Sequence, residues 1–357
     1  MKNFGLLFVC LSVIGAPHSR VWAAEVEYPI ILVPTGSDTY TFPEGYQTPW
    51  DQVQIRVTEK LSPNLFVLHG SEGLDRLHPD ASGGRVMVLF GPDGVLLVDT
   101  QGRQVADKTL AAIRTFSDGP IKVLVNSHIH PDHSGANAFF ANQGAVIFGQ
   151  ENLRLDMINP QDVNGQPASP RHPAAVPVVT YQYDASTPGK PAVTLHMNGE
   201  TVDFIPMMPS HTAGDTVVRF RNANVIYIED FYRNVGYPYA AQRRGGSIKG
   251  MIEAIDLFQS IAGPDTWLIP GHGTLIRKDD LLPYRAMLVD ILARVTALRD
   301  EGKSLEEVLA ENLTAPYEQT TQGDTRRSKD RFITAVYDEV KDFPPIVNGS
   351  RTMPTHP

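Results

Sequence analysis

The 357-residue chain has almost no cysteine: the only one, Cys10, lies in the apolar run "FGLLFVCLSVIG" at residues 4–15. Past that point no disulfide can form, and no thiolate can act as nucleophile or metal ligand. Any metal site must be built from nitrogen and oxygen. Basic clusters are missing too. The net charge is −9, and no run of five Lys or Arg occurs. This argues against a polynucleotide partner. Long apolar runs are also lacking. The one at residues 4–15 falls short of the roughly 20 residues that span a bilayer, so no stable membrane anchor is expected. Lys2, that run and "APHSRVWA" with Val21 and Ala23 fit a secretory signal, residues 1–23, cleaved after Ala23. Val9 before Cys10 lacks the small side chain of a lipoprotein signal. The expected location is periplasmic or secreted.

What is present is ordinary globular material, 42% apolar and 20% charged, enough for a large core. Residues 24–50 are rich in Pro, Gly and Tyr and read as an irregular N-terminal arm. Regular patterning begins near Val53. "QVQIRV" alternates, "NLFVLHG" is a short apolar run, and "RVMVLF" and "GVLLVDT" flank the turn "GPDG", which predicts strands. Ala106, Leu110 and Ile113 have helical spacing. "IKVLVNS" and "AVIFG" predict buried strands, and the Pro-rich stretch 158–191 reads as an insertion loop. Further strands follow in "AVTLHM", "TVDFIPM", "TVVRF", "NVIYIED" and "TWLIP". One helix carries Ile248, Met251, Ile252, Ile255 and Phe258 on one face. A second runs from Met287 to Leu298 and ends at Gly302, and Ser304 with Glu307 makes a capping box for a third. This alternation predicts layered α/β packing.

The densest chemical signal is "SHIHPDHSG", residues 127–135. His128 and His130, two apart in an extended chain, can point at one metal. Pro131 helps turn the chain, and Asp132 and His133 can face a second point. Since each metal usually takes about four ligands, more must come from elsewhere. His211 in "SHTAGD", Glu229 and Asp230 in "VIYIED", and His272 in "IPGHG" all stand at predicted strand ends, where α/β proteins place function. His69, His78, His172, His196 and His356 stand alone and read as structural or solvated.

The pattern H-x-H-x-D-H at 128–133, followed by His211, Asp230 and His272, resembles the metallo-β-lactamase superfamily over roughly residues 53–300. "GPDGVLLVDT", "HTAGDTVVRF" and "IPGHG" are similar to secreted members described only as hydrolases. The resemblance implies a four-layer αββα sandwich, an α/β fold, over residues 51–300, with a C-terminal helical extension and tail at 301–357. It implies two zinc ions per chain. His128, His130 and His211 would hold the first, Asp132, His133 and His272 the second, and Asp230 would bridge them. The activity implied is hydrolysis of a small carbonyl substrate (ester, lactone, thioester or amide) by a hydroxide between the metals, oriented by Asp132. These branches usually carry Gly before the bridging aspartate, whereas this chain has Glu229.

A β-lactamase is one alternative, which export suits and the aspartate bridge weakens. A second is a mononuclear iron oxygenase on the same scaffold, and a third a metal-binding protein without turnover. For substrate contacts the stretch 231–247 offers Asn234, Tyr237 and Arg243, because loops after ligands rim pockets. His196 and the 158–191 stretch are candidates for a lid.

Overall fold

The computed structural model describes residues 50–70, 83–161, 165–234, 236–318 and 326–340. The signal, nearly all of the arm, His78 and His356 lie outside these residues. Short apolar runs separated by turn residues become strands, and the pairing of strands follows the connections. Four strands, β1 (Arg56–Ser62), β2 (Leu65–His69), β3 (Val86–Gly91) and β4 (Gly94–Val98), form an antiparallel meander. Parallel strands need crossovers. Accordingly, helix α1 (Ala106–Arg114) leads from β4 to β5 (Ile121–Val125). The short helices α2 (Pro131–Ser134) and α3 (Asn137–Asn142) lead on to β6 (Val146–Gln150). Helix α4 (Glu151–Ile158) precedes β7 (Val179–Tyr181), which completes a seven-stranded sheet in the order β1 to β7.

A second sheet has the order β12-β11-β10-β9-β8. Its strands are β8 (Val193–Met197), β9 (Glu200–Pro206), β10 (Thr216–Phe220), β11 (Val225–Glu229) and β12 (Trp267–Pro270). The parallel pair β11–β12 is joined through α5 (Ile248–Ile261). Then come α6 (Leu281–Asp300), α7 (Leu305–Ala310) and α8 (Arg326–Glu339).

The layer order follows from side-chain alternation. Met87, Leu89, Leu96 and Val98 share a core with Val202, Phe204, Val218, Phe220 and Tyr227 of the second sheet. Their neighbours Val86, Val88, Val95 and Leu97 point the other way, against Ala106, Ile113 and Phe140 of the helices. The outer face of the second sheet, with Ile205, Val217, Ile226 and Leu268, packs on Ile255, Phe258, Leu288, Ile291 and Phe332. The result is helix, sheet, sheet, helix, the four layers expected. Each fully buried aliphatic side chain contributes about 1.5–3 kcal/mol, and these clusters hold dozens.

Two sequence expectations need correction. The first strand starts at Arg56 and runs to Ser62, not over "QVQIRV"; irregular register between Val57 and Glu59 and again between Lys60 and Ser62 breaks its alternation. The stretch 158–191 is not wholly loop, since Val179–Tyr181 adds the edge strand β7. Three residues are too few to show a period. Other signals hold: Ser304 and Glu307 form the capping box of α7, and Gly302 leaves α6 at φ 84°. Among the described residues no helix is long and apolar enough to cross a membrane.

Candidate metal centre

All seven side chains singled out from the sequence converge at one edge of the sandwich, beyond the C-terminal ends of β5, β9, β11 and β12. They form two groups. His128, His130, His211 and Asp230 offer donor atoms within 4.8 Å of one another, and so do Asp132, His133 and His272.

Local chemistry explains the first four positions. The chain leaves β5 extended, so His128 and His130 fall on one side. Pro131 is the first residue of α2, with His130 at its N-cap; proline suits that position because its missing N–H would go unpaired there anyway. The Ser134 hydroxyl donates to the Ile129 carbonyl at 2.8 Å and closes the turn. Asp132 and His133 thus sit in a helical turn rather than an open loop. The other three ligand-type residues depend on the second sheet. Thr216 N donates to Ser127 O at 2.7 Å, and the Arg85 guanidinium donates to Pro270 O at 3.0 Å. These bonds lock the two sheets together beneath the site.

The distances suit metal ligation. His128 Nε2 lies 3.1 Å from His130 Nδ1, which lies 2.9 Å from His211 Nε2. His272 Nε2 lies 3.2 Å from His133 Nε2 and 3.1 Å from Asp132 Oδ2. A tetrahedral ion with metal–nitrogen bonds near 2.05 Å separates its donors by about 3.3 Å. Asp230 stands between the groups: Oδ1 is 3.4 Å from His133 Nε2, and Oδ2 is 3.6 Å from both His211 Nε2 and His272 Nε2. Although buried, Asp230 Oδ1 has no hydrogen-bond partner. An unpaired buried carboxylate oxygen is costly, and a cation at this point would remove the cost. The residues fit a pair of metal ions.

Electrostatics favour neutral imidazoles in the first group. Burial lowers His130 to about 4 against the pull of Asp132 and Asp230, and lowers His211 to about 3 against that of Asp230. His128 is lowered well below its ordinary value by burial and by His133 and His211. Burial acts the same way on His133, but Asp230, Asp132 and Asp99 outweigh it and raise this imidazole. Burial would raise Asp230, yet His272 and His133 hold it well below the carboxylate range. Asp132, only partly buried, is also held low, by His133 and His272 against that partial burial. Neutral nitrogens and ionised carboxylates are the forms that bind metal.

Outer partners fix the rings. His133 Nδ1 lies 2.8 Å from Asp99 Oδ2. Asp99 in turn accepts from Ser127 N at 2.8 Å, Ser127 Oγ at 2.5 Å and Tyr227 OH at 2.9 Å. His211 Nδ1 lies 2.6 Å from the Tyr239 carbonyl. With the proton on Nδ1, Nε2 of His211 presents its lone pair inward, and Nε2 of His133 would do so where a cation takes the place of its proton. Glycines admit the rings: a Cβ on Gly84 or Gly271 would run into the His133 imidazole, and one on Gly271 would also meet Asp230.

Glu229 is buried with φ +43°, a left-handed conformation that favours glycine. This is the position where the resemblance led us to expect Gly. Its Oε2 lies 2.8 Å from His128 Nδ1, yet neither carboxylate oxygen has a partner in hydrogen-bond geometry. Burial, then the nearby Asp215 and Asp230, raise this carboxyl well above its ordinary value.

The substrate-contact expectations fare worse. Tyr237 is buried, stacked on Phe332 at 5.9 Å and 12°, so it cannot wall a pocket. Tyr239 takes that place, half-buried and stacked on His130 at 5.7 Å and 13°. Asn234 is tied to Thr274, two residues past His272, and Arg243 is exposed. His196 is no lid residue, because it meets Thr201 at the start of β9 whereas His211 follows the end of that strand. His172 caps the short 3-10 turn Pro173–Ala175, and His69 is buried with Nε2 3.1 Å from Gly83 O. Sequence reasoning passed over Asp99, Tyr227 and Tyr239. The one available signal was that Asp99 ends an apolar strand on a carboxylate.

Comparison with known proteins agrees with this architecture. A curated linear primary-alkylsulfatase of Pseudomonas sp. is 44% identical over 74 residues, 18% of this chain and 14% of that protein's length. A metallo-beta-lactamase from Pontibacter korlensis superposes with TM-score 0.53 at 20% identity, covering 66% of this chain and 100% of its own. The stereoselective inverting sec-alkylsulfatase Pisa1 from Pseudomonas sp. gives TM-score 0.57 at 18% identity, over 82% of this chain and 51% of its own. At such identities the structural likeness is one of fold, and the chain spans only part of either sulfatase. The family model of the metallo-beta-lactamase superfamily matches residues 79–228, the stretch that carries the His128–His133 cluster and His211.

Proposed function

We propose that this chain is an exported hydrolase that uses two divalent cations, zinc first among them, to cleave a small ester. The observation that carries the reading is the Asp230 carboxylate, placed between two groups of donors that each match one ion. His128, His130 and His211 would hold one cation, Asp132, His133 and His272 the other, with Asp230 shared. Such cations lower the pKa of bound water to about 7 and polarise the bond under attack. The chain supplies the rest. The Asp132 side chain is 42% exposed, in contrast to the buried His133 and Asp230. Held by His272, it can orient the attacking water, accept its proton and return it to the leaving oxygen. Tyr239, stacked on His130, offers an aromatic edge beside the centre for the apolar part of a substrate.

The superfamily resemblance points to a carbonyl ester, lactone or thioester. The matched segment of the alkylsulfatase adds a sulfate ester, whose hydrolysis likewise adds water and here releases an alcohol and sulfate. β-Lactam cleavage ranks below both because the shared ligand is an aspartate. The test is elemental analysis of the chain lacking residues 1–23, then parallel assays on an aryl ester, a lactone, a thioester, an alkyl sulfate and a penicillin. We expect two zinc ions per chain and chelator-sensitive turnover of an ester. A single iron per chain favours the oxygenase alternative, and turnover indifferent to chelator overturns the proposal. Export is checked by sequencing the N-terminus of the secreted protein, expected at Ala24.

A further inference from the structure

The C-terminal helix α8 lies beyond the family-matched region and donates no metal ligand, yet one of its faces grips the segment that orients His211. Ser328, Arg331, Phe332, Ala335 and Glu339 recur at three- and four-residue spacing, which places them on one face. All five touch residues 237–249. The Ser328 hydroxyl accepts from Tyr237 N at 2.6 Å, and Phe332 stacks on the Tyr237 ring. The Ala335 carbonyl accepts from the Gln242 side chain. Glu339 accepts from Ser247 Oγ at 2.8 Å, Ile248 N at 2.5 Å and Lys249 N at 3.0 Å, and so caps α5 from outside. The Arg331 guanidinium carbon sits 4.1 Å from the centre of the Tyr239 ring, a cation–π contact.

The other side of that segment faces the metal centre. The Tyr239 carbonyl pairs with His211 Nδ1 at 2.6 Å, and its ring lies 5.7 Å from both the His130 and His211 rings. Ala241 N donates to His211 O at 2.8 Å, and Ser247 N to Ser210 O at 2.7 Å. The segment is therefore held between α8 and two ligand-type histidines. A carbonyl can fix a ring only as well as its own peptide is fixed, and α8 holds this stretch through Tyr237, Gln242 and the Tyr239 ring.

We propose that Arg331 is a positioning residue of the metal centre. By holding the Tyr239 ring it sets the Tyr239 carbonyl, and through it the His211 imidazole. The proposal rests on the two-metal reading above. It is tested with Arg331→Ala, the conservative Arg331→Lys, and Ile333→Ala, a core residue away from the gripping face. Zinc affinity is read by competition with a chromophoric chelator, and ligand geometry by the visible spectrum of the cobalt(II) form. Arg331→Ala is expected to weaken zinc binding about tenfold, the low end for losing an outer partner of a ligand, and to alter the cobalt bands. Arg331→Lys should recover part of both. Ile333→Ala should lower Tm with affinity and spectrum unchanged. Wild-type affinity and spectrum in Arg331→Ala overturn the proposal, as does an equal loss of affinity in Ile333→Ala, because either makes α8 ordinary packing. A wild-type protein that binds no zinc removes the metal-centre reading, and this inference with it.

Discussion

The two sheets contribute to the centre in different ways. The first supplies His128, His130, Asp132 and His133 from one six-residue stretch after β5. The second supplies His211, Asp230 and His272 singly, from the ends of β9, β11 and β12. The first set is arranged by local chain geometry: an extended segment, a proline and one helical turn. The second is arranged by strand register, since the parallel pairing of β11 with β12 decides where Asp230 and His272 meet. The backing differs as well. A buried carboxylate, Asp99, steadies His133 from within its own sheet. A main-chain carbonyl steadies His211, and its segment is held by a helix more than 90 residues further on. Local geometry thus makes half of a site, and tertiary register makes the other half.

The largest break in this comparison is His128→Ala, which takes an imidazole from the locally built half. Hydrolysis should fall by more than about a hundredfold, beyond the usual effect of losing an outer partner. A thermal melt of the metal-free protein should still show a cooperative transition. Unchanged turnover would remove every role assigned to the first group.

Gly271→Ala probes the register-built half. Its methyl must displace Asp230 or the His133 ring, and a loss of about 10- to 100-fold in zinc affinity is expected. Gly263→Ala, whose methyl would make only ordinary contact with Thr266, is the matched control. Equal affinities for the two variants in a chelator competition would mean that the register is not what holds Asp230.

The smallest effect sharpens the comparison at the point where the halves meet. Glu229→Gly removes a left-handed non-glycine residue and a buried carboxyl without a hydrogen-bond partner. The metal-free fold should gain about 1 kcal/mol in urea unfolding. A loss instead would show that contact with His128 outweighs the backbone strain.

Much of the centre was legible in the chain. Imidazoles crowded at 128–133 and ligand-type residues at strand ends offered eight side chains, Glu229 among them, and the superfamily resemblance narrowed these to the seven that the structure gathers. Asp99 escaped because one carboxylate after one strand has no spacing to betray it. Tyr239 escaped because its working group is a peptide carbonyl, which every residue has. The choice between Tyr237 and Tyr239, two apart in "YPY", turned on α8: Phe332 draws one ring into the core and leaves the other beside His130. Strand β7 was too short for its alternation to show, and irregular register hid the start of β1.

Composition and spacing alone determined that any metal here is held by nitrogen and oxygen, and that the turn at 128–133 offers two aiming points. Those properties follow from residue type and from backbone geometry over a few bonds. Only the tertiary structure decided that Asp230 lies between the groups and that His272 meets Asp132 at 3.1 Å across 140 residues of chain. Donor distances near 3 Å between remote residues require packed sheets in fixed register, because the intervening chain by itself could place those atoms anywhere within its reach.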